Sequence, residues 1–380
     1  MVKVLLLKAY DNHPFGSGGE RSMLELLRNF SSRGCECRAV YLYIDADFGR
    51  HSKAAMRHGM RLIDKNSCRL LLEYDSIQVE MINIDAFSRI RACDPIRCIT
   101  GVINAFKPDW IWYMFFNMSI TRMLADMRFS RAVAFVQDVF FPRPPDTDRP
   151  TSEHIRSLPA VIANSRFVAK TFADAWGIKP RIQTPIIDPH QFTAVNRRPK
   201  YVAMIGSAPG KGRAHFLRIA AGSPRHSFLL IGRLTDDQAR HAAGLSNLEV
   251  VTERYTTGTL YADIRLLCVP SVVPEAFSRV IVEAGMNGIP ALAFDTGGVT
   301  EALNGSGMAF SLPEGSAAGD GLLPLRPWTD AIEALDDEDA YARASAAARR
   351  SAFETAAKAE KECGNLVQLF RPHAQRSAER

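Results

Sequence analysis

Twice along this chain an apolar run of five or six residues gives way to glycines and then to a segment with helical spacing. The first run, Val2-Lys-Val-Leu-Leu-Leu7, precedes the loop Tyr10 to Gly19. Glu20 to Phe30 comes next, with apolar residues at 23, 26, 27 and 30. Gly34 closes that helix, and Arg38 to Tyr43 reads as the next strand. The second run, Tyr201-Val-Ala-Met-Ile205, leads into Gly206-Ser-Ala-Pro-Gly-Lys-Gly212 and a helix to Ala221. Mostly apolar strands of this kind belong to parallel sheets covered on both faces. Glycines at the strand–helix junction let backbone N–H groups approach a phosphate. The fold class expected is α/β, with two Rossmann-like domains facing across a cleft, and ligands bind at the carboxyl ends of such sheets.

The rest of the chain fits alternation of strand and helix. Ile99 to Phe106 reads as a helix, Trp110 to Phe116 as a strand, 119–128 as a helix and Ala132 to Val136 as a strand. Val161 to Ser165 is a strand end before a helix at 166–176, and Pro180 to Phe192 reads as the domain linker. Strands are expected at 228–231, 248–251, 264–269 and 291–294. The tail from Ala340 is rich in Ala, Arg and Glu and reads as helix. The expected domains are 1–190, completed by a C-terminal helix at 355–380, and 195–350. Residues 49–72 are basic, with Met56, Met60 and Ile63 on one helical face. They read as a solvated surface helix, a membrane-surface or acceptor-binding role being the alternative.

Composition excludes several classes. At 380 residues, 47% hydrophobic and 23% charged, the chain is globular and long enough for two cores. The seven cysteines form no C-x-x-C pair, so neither a disulfide frame nor a structural zinc is expected, and a reducing compartment is. A net charge of +6 suits anionic ligands such as phosphates; without an aromatic-interleaved basic stripe, nucleic acid is not an expected partner. No secretion or membrane-spanning segment is read, so the expected location is cytoplasmic, with peripheral contact at the inner membrane face as the alternative. The dinucleotide fingerprint is poorly met: Gly16-x-Gly18-x-x-Arg21 lacks the third small residue, and its glycines come well after the strand.

The stretch Pro270 to Pro290 carries the chemistry. Glu275 lies in a Pro-bounded loop. Glu283 lies in a helix whose neighbours at 280, 281, 282, 284 and 286 are all apolar or small. A buried carboxylate requires hydrogen-bond partners. Were 275–283 helical throughout, the two carboxylates would stand about 12 Å apart.

These residues resemble a retaining glycosyltransferase of GT-B fold, family 4 (glycosyl transferases group 1). Pro274-Glu275-Ala-Phe-Ser-Arg-Val-Ile-Val-Glu283-Ala matches that family's E-x7-E element, and Asn287 to Ala291 and Asp295 to Glu301 match the family's next two segments. Gly18-Gly19-Glu20, Lys107-Pro108-Asp109, Gln137-Asp138, Asn164-Ser165, Ile187-Asp188 and Lys211-Gly212 fall in the family's order.

The resemblance implies a metal-independent hexosyltransferase, with no cofactor and a UDP-, GDP- or dTDP-sugar as donor. The acceptor it implies is a glycan, a lipid or a small natural product. Glu283 would hold the ribose hydroxyls and Glu275 hydroxyls of the transferred sugar. The segment Ala276, Phe277, Ser278 and Arg279 would present a helix start to the diphosphate, and Lys211 would neutralise it. Ser207 stands where many relatives carry Arg, so Arg213 or Arg279 is expected to meet part of that charge. Ser278 replaces a common glycine, which is tolerable if its φ stays negative.

Gly18 and Gly19 would approach the phosphates from the N-terminal domain, which is expected to supply the acceptor side. Asp138 is the candidate to orient or deprotonate the acceptor, with His13 as the alternative. Asp45-Ala-Asp47 reads as turn residues, and only a metal-dependent alternative would use it. Two rival readings are a relative acting on the nucleotide sugar itself, as an epimerase does, and a non-catalytic partner subunit of the same fold.

Overall fold

The computed structural model describes residues 1–9, 18–43, 56, 59–66, 69–83, 95–115, 118–139, 141, 148–208, 210–252, 257–313 and 323–370. The chain divides into two units. One comprises Met1–Ile186 with Ala359–Arg380, the other Ile187–Lys358.

Nine strands among the described residues form the sheet of the first unit. They are β1 (Lys3–Ala9), β2 (Glu36–Tyr43), β3 (Arg61–Lys65), β4 (Arg69–Tyr74), β5 (Ile77–Asn83), β6 (Trp110–Met114), β7 (Ala132–Val136), β8 (Ala160–Ala163) and β9 (Arg181–Ile182). Their order is β3-β4-β5-β2-β1-β6-β7-β8-β9. β1 is central: Leu5 pairs with Arg38 on one side and Ile111 on the other, both parallel. From β5 to β9 all pairings are parallel.

The far edge is not parallel. β4 runs antiparallel to β5, and β3 antiparallel to β4. This corrects the surface helix expected across 49–72, whose second half is a β-ribbon. Leu70 and Leu72 are fully buried, a period of two. Asp75, at φ +51°, turns the chain from β4 into β5.

The C-terminal helix, Glu338–Phe370, ends in the core of this unit. Phe370 makes edge contacts with Phe30 and Trp112 at centroid distances of 5.8 and 5.4 Å, and its carbonyl accepts from the Trp110 indole at 3.2 Å. No helix among the described residues is long and apolar enough to cross a membrane.

The second unit holds a sheet ordered β12-β11-β10-β13-β14-β15. The strands are β10 (Tyr201–Ile205), β11 (Phe228–Ile231), β12 (Leu248–Val251), β13 (Ile264–Val269), β14 (Ala291–Phe294) and β15 (Met308–Phe310), all paired in parallel. Buried apolar clusters line this sheet: one contains the helix Arg279–Met286, the other the helix Arg213–Gly222. The two loops that leave β10 and β13 build the candidate site.

Candidate active site

β10 ends at Ile205, and the loop 206–212 leads into the helix Arg213–Gly222. Gly212 is the N-cap, at φ +79°, and a Cβ there would lie 1.7 Å from the Pro270 carbonyl oxygen. Only glycine permits so close an approach of two backbones. The Val272 N–H donates to the Gly210 carbonyl at 2.8 Å. The glycine loop is thereby fastened to the loop after β13, and Lys211 is carried to Glu275.

Lys211 Nζ donates to both carboxylate oxygens of Glu275, at 2.6 and 2.7 Å. The Ser271 hydroxyl donates to Glu275 Oε1 as well. Glu275 is 8% exposed, and its backbone is fixed by the Gly298 N–H donating to its carbonyl at 2.7 Å. Direct hydrogen bonds and an adjacent cation thus meet the polar atoms of this buried carboxylate. Ala276 packs against the turn at 297–298, where a Cβ on Gly298 would stand 2.4 Å from its carbonyl oxygen, and Phe277 is buried.

Glu283 lies one helical turn into Arg279–Met286 and is 5% exposed. Its Oε2 accepts from the Tyr261 hydroxyl at 2.8 Å, and its Oε1 from Arg279 Nε at 3.2 Å. The Arg279 guanidinium lies 5.9 Å from the Phe192 ring centroid. Asn287 closes the helix, donating to the Glu283 and Phe192 carbonyls at 2.9 and 2.8 Å. The buried charge of Glu283 is thus met inside the unit.

Ser278 departs from expectation. It takes a left-handed backbone, φ +67° and ψ +69°, in place of the negative φ anticipated for a serine. It is the N-cap of Arg279–Met286 but forms no side-chain cap bond. Capping by serine uses an extended backbone, so that the hydroxyl meets the N–H two or three residues on. The close packing of 275–277 against 296–298 sets the chain direction here instead.

The two arginines expected to share a phosphate charge are engaged with the chain. Arg213, 9% exposed, turns back on its own loop. Its Nη1 donates to the Ser207 and Ala208 carbonyls and its Nε to Gln238 Oε1 at 3.0 Å. Arg279 holds Glu283. The Ser207 hydroxyl accepts from the Arg233 N–H at 2.9 Å and ties this loop to the end of β11.

His215, in the first turn of Arg213–Gly222, is 3% exposed, and neither ring nitrogen has a hydrogen-bond partner among the described residues. Burial first, and then the Arg218 charge, push its pKa down to about 4. It packs against Phe294 and Trp328, with ring centroids 5.3 and 5.5 Å away.

In the first unit, Gly18 and Gly19 open the helix Gly18–Ser32 after β1. Glu20 of that first turn pairs with Lys8 of β1, both buried. Asp138 is exposed just beyond β7, its Oδ1 accepting from the Val139 N–H at 2.6 Å. Both side-chain amide atoms of Gln137 are buried without a partner among the described residues. His13, Asp45 and Asp47 lie outside the described residues. Among the described residues no three His, Cys, Asp or Glu side chains gather as a metal-ligating group.

Sequence reasoning missed Ser271 and Tyr261. Ser271 was open to it, standing beside Pro270 and four residues before Glu275. Tyr261 has no local signal, because it reaches Glu283 across 22 positions.

Comparison with known proteins places the fold. Residues 199–319 match the family model described as Glycosyl transferases group 1. Anabaena HepE, solved with UDP and glucose, is 18% identical, with a TM-score of 0.68 over 97% of this chain and 100% of that one. Sucrose-phosphate synthase from Thermosynechococcus elongatus is 14% identical, with a TM-score of 0.70 over 97% and 99%. A glycosyltransferase from Rickettsia africae is 14% identical, with a TM-score of 0.69 over 97% and 98%. No curated protein matches the chain in sequence. The chain has the GT-B fold of these glycosyltransferases, and its residues 199–319 resemble the glycosyl transferases group 1 family.

Proposed function

We propose that the protein is a retaining glycosyltransferase that moves a hexose-type sugar from a nucleoside-diphosphate sugar to a glycan, lipid or small-molecule acceptor. The observation that carries this reading is the contact of Lys211 with Glu275 beside two helix starts that lack side-chain caps, at Gly212 and Ser278. Uncapped helix N-termini favour a bound anion, and a lysine adds a point charge for it. HepE, solved with UDP-glucose, supports a nucleotide-sugar donor for this chain, the base and sugar being left to experiment.

In this reading the site acts chiefly on the leaving group. Without ligand, Lys211 neutralises Glu275. When the donor enters, Lys211 turns its donors to the diphosphate and Glu275 accepts from hydroxyls of the sugar. Glu283, already oriented by Tyr261 and Arg279, accepts from the ribose hydroxyls. As the bond from the anomeric carbon to the phosphate oxygen breaks, charge grows on the diphosphate. Lys211 and the helix starts stabilise it in place, and no metal is assigned to this step. Arg213 keeps the loop closed on itself so that Lys211 stays aimed. Asp138, exposed just beyond β7, is the candidate to orient the acceptor or take its proton.

The test is incubation of the protein with UDP-, GDP- and dTDP-sugars and candidate acceptors, with nucleoside diphosphate release and the anomeric form of the product as readouts. Release coupled to a product of retained configuration supports the reading. Isomerisation of the sugar nucleotide without transfer would favour the epimerase-like alternative instead.

A further inference from the structure

Ser278 is held in a conformation that costs stability twice over. A serine at φ +67° carries a Cβ in the left-handed region, where glycine is at ease and other residues are strained. Its hydroxyl oxygen is buried and has no hydrogen-bond partner among the described residues, the residue as a whole being 8% exposed. A buried hydroxyl without a partner is a further penalty. Glycine at this position would remove both.

The place where these costs fall is specific. Ser278 sits three residues after Glu275, at the N-cap of the eight-residue helix Arg279–Met286. It does not cap that helix, so an unpartnered hydroxyl and a helix start without a side-chain cap fall at one point. Backbone strain retained against an available remedy points to use of the group by something the free protein lacks.

We infer that the Ser278 hydroxyl is a donor to a phosphate oxygen of the bound nucleoside diphosphate, acting beside the N–H groups of the helix start. An anion fits better than a neutral sugar hydroxyl, because the helix start favours negative charge and the hydroxyl has a proton to give. This rests on the donor-site reading above and adds to it a side chain that binds at the expense of the fold.

The experiment compares wild type, Ser278→Gly and Ser278→Ala by thermal unfolding without ligand and by calorimetric titration. Wild type is first titrated with UDP, GDP and dTDP, and the tightest binder becomes the probe. The expected result is that both variants lose roughly ten-fold or more in affinity for that diphosphate. Ser278→Gly should also melt about 2 °C or more above wild type, and above Ser278→Ala, which keeps the strained Cβ. A loss of affinity with a gain in stability is an outcome that a purely structural serine cannot give. Wild-type affinity in both variants overturns this inference and leaves the donor-site reading standing. A loss seen only with the sugar nucleotide, not with the diphosphate alone, also overturns it, placing the hydroxyl on the sugar. Absence of any diphosphate binding by wild type overturns the donor-site reading first, and the inference with it.

Discussion

Lys211 Nζ stands 2.6 and 2.7 Å from the two carboxylate oxygens of Glu275, 64 residues away in sequence. The pair joins the loop after β10 to the loop after β13, with Glu275 the more deeply buried partner. Lys211 is a third exposed, so its charge is partly screened by solvent, while that of Glu275 is not.

Removing one member of such a pair strands the other. Lys211→Ala should lower stability by about 1–3 kcal/mol while leaving the chain folded, because Ser271 still donates to Glu275. Lys211→Met/Glu275→Gln should recover most of that loss and none of the transferase activity. Thermal unfolding of the single and double variants, alongside nucleoside diphosphate release, separates the structural from the chemical part.

Glu283 and Arg279 are a buried pair, so Glu283→Ala should be the more damaging change, by about 3 kcal/mol or more. Glu283→Gln keeps the shape of the side chain and some of its hydrogen bonding. If it grips ribose, Glu283→Gln should weaken binding of a ribonucleoside diphosphate about ten-fold and leave a 2′,3′-dideoxy analogue unaffected. Tyr261→Phe should show a milder version of the same pattern, since it only orients the carboxylate.

His215 gives the second unit a dependence on acid. Its folded pKa, about 4, lies below the ordinary value of 6.5, so the unfolded chain binds the extra proton first. The contribution is complete above pH 6.5 and is lost as pH falls from there toward 4. The total is about 3 kcal/mol. Replacing it by Phe should flatten this part of the stability profile between pH 7 and 4, measured by denaturant unfolding at each pH.

Gly212→Ala places a Cβ on the Pro270 carbonyl oxygen. The two loops must part, carrying Lys211 away from Glu275. Activity should fall at least a hundred-fold, with a stability loss of about 2–4 kcal/mol by chemical denaturation.

Much of the second unit was legible because its strands are short, mostly apolar runs, several with Gly or Pro at one end, as at Gly232, Pro270 and Pro290. β10, β11, β12, β13 and β14 all lie where the sequence places them. β15 was not, being three residues long with Met308 37% exposed, too short to show a period. In the first unit the ribbon β3–β4 was missed because Met56, Met60 and Ile63 mimic helical spacing, while the true signal lay further on, at Leu70 and Leu72.

At the site, the spacing of Glu275 and Glu283 and the glycines around Lys211 are local features, and sequence shows them. Which group answers each charge is decided by tertiary packing, as with Tyr261 on Glu283 and Ser271 on Glu275. The positive φ of Ser278 is likewise set by how 275–278 packs on 296–298, at a position where a serine gives no local sign of it.

The most direct measurement is calorimetric titration of UDP, GDP and dTDP into wild type, Lys211→Ala and Glu283→Gln, each variant first shown to be folded. A donor site built on these residues predicts saturable wild-type binding of at least one diphosphate, weakened about ten-fold or more in both variants. Binding that is equally tight in all three proteins, or absent from wild type, would contradict a donor site at Lys211 and Glu283.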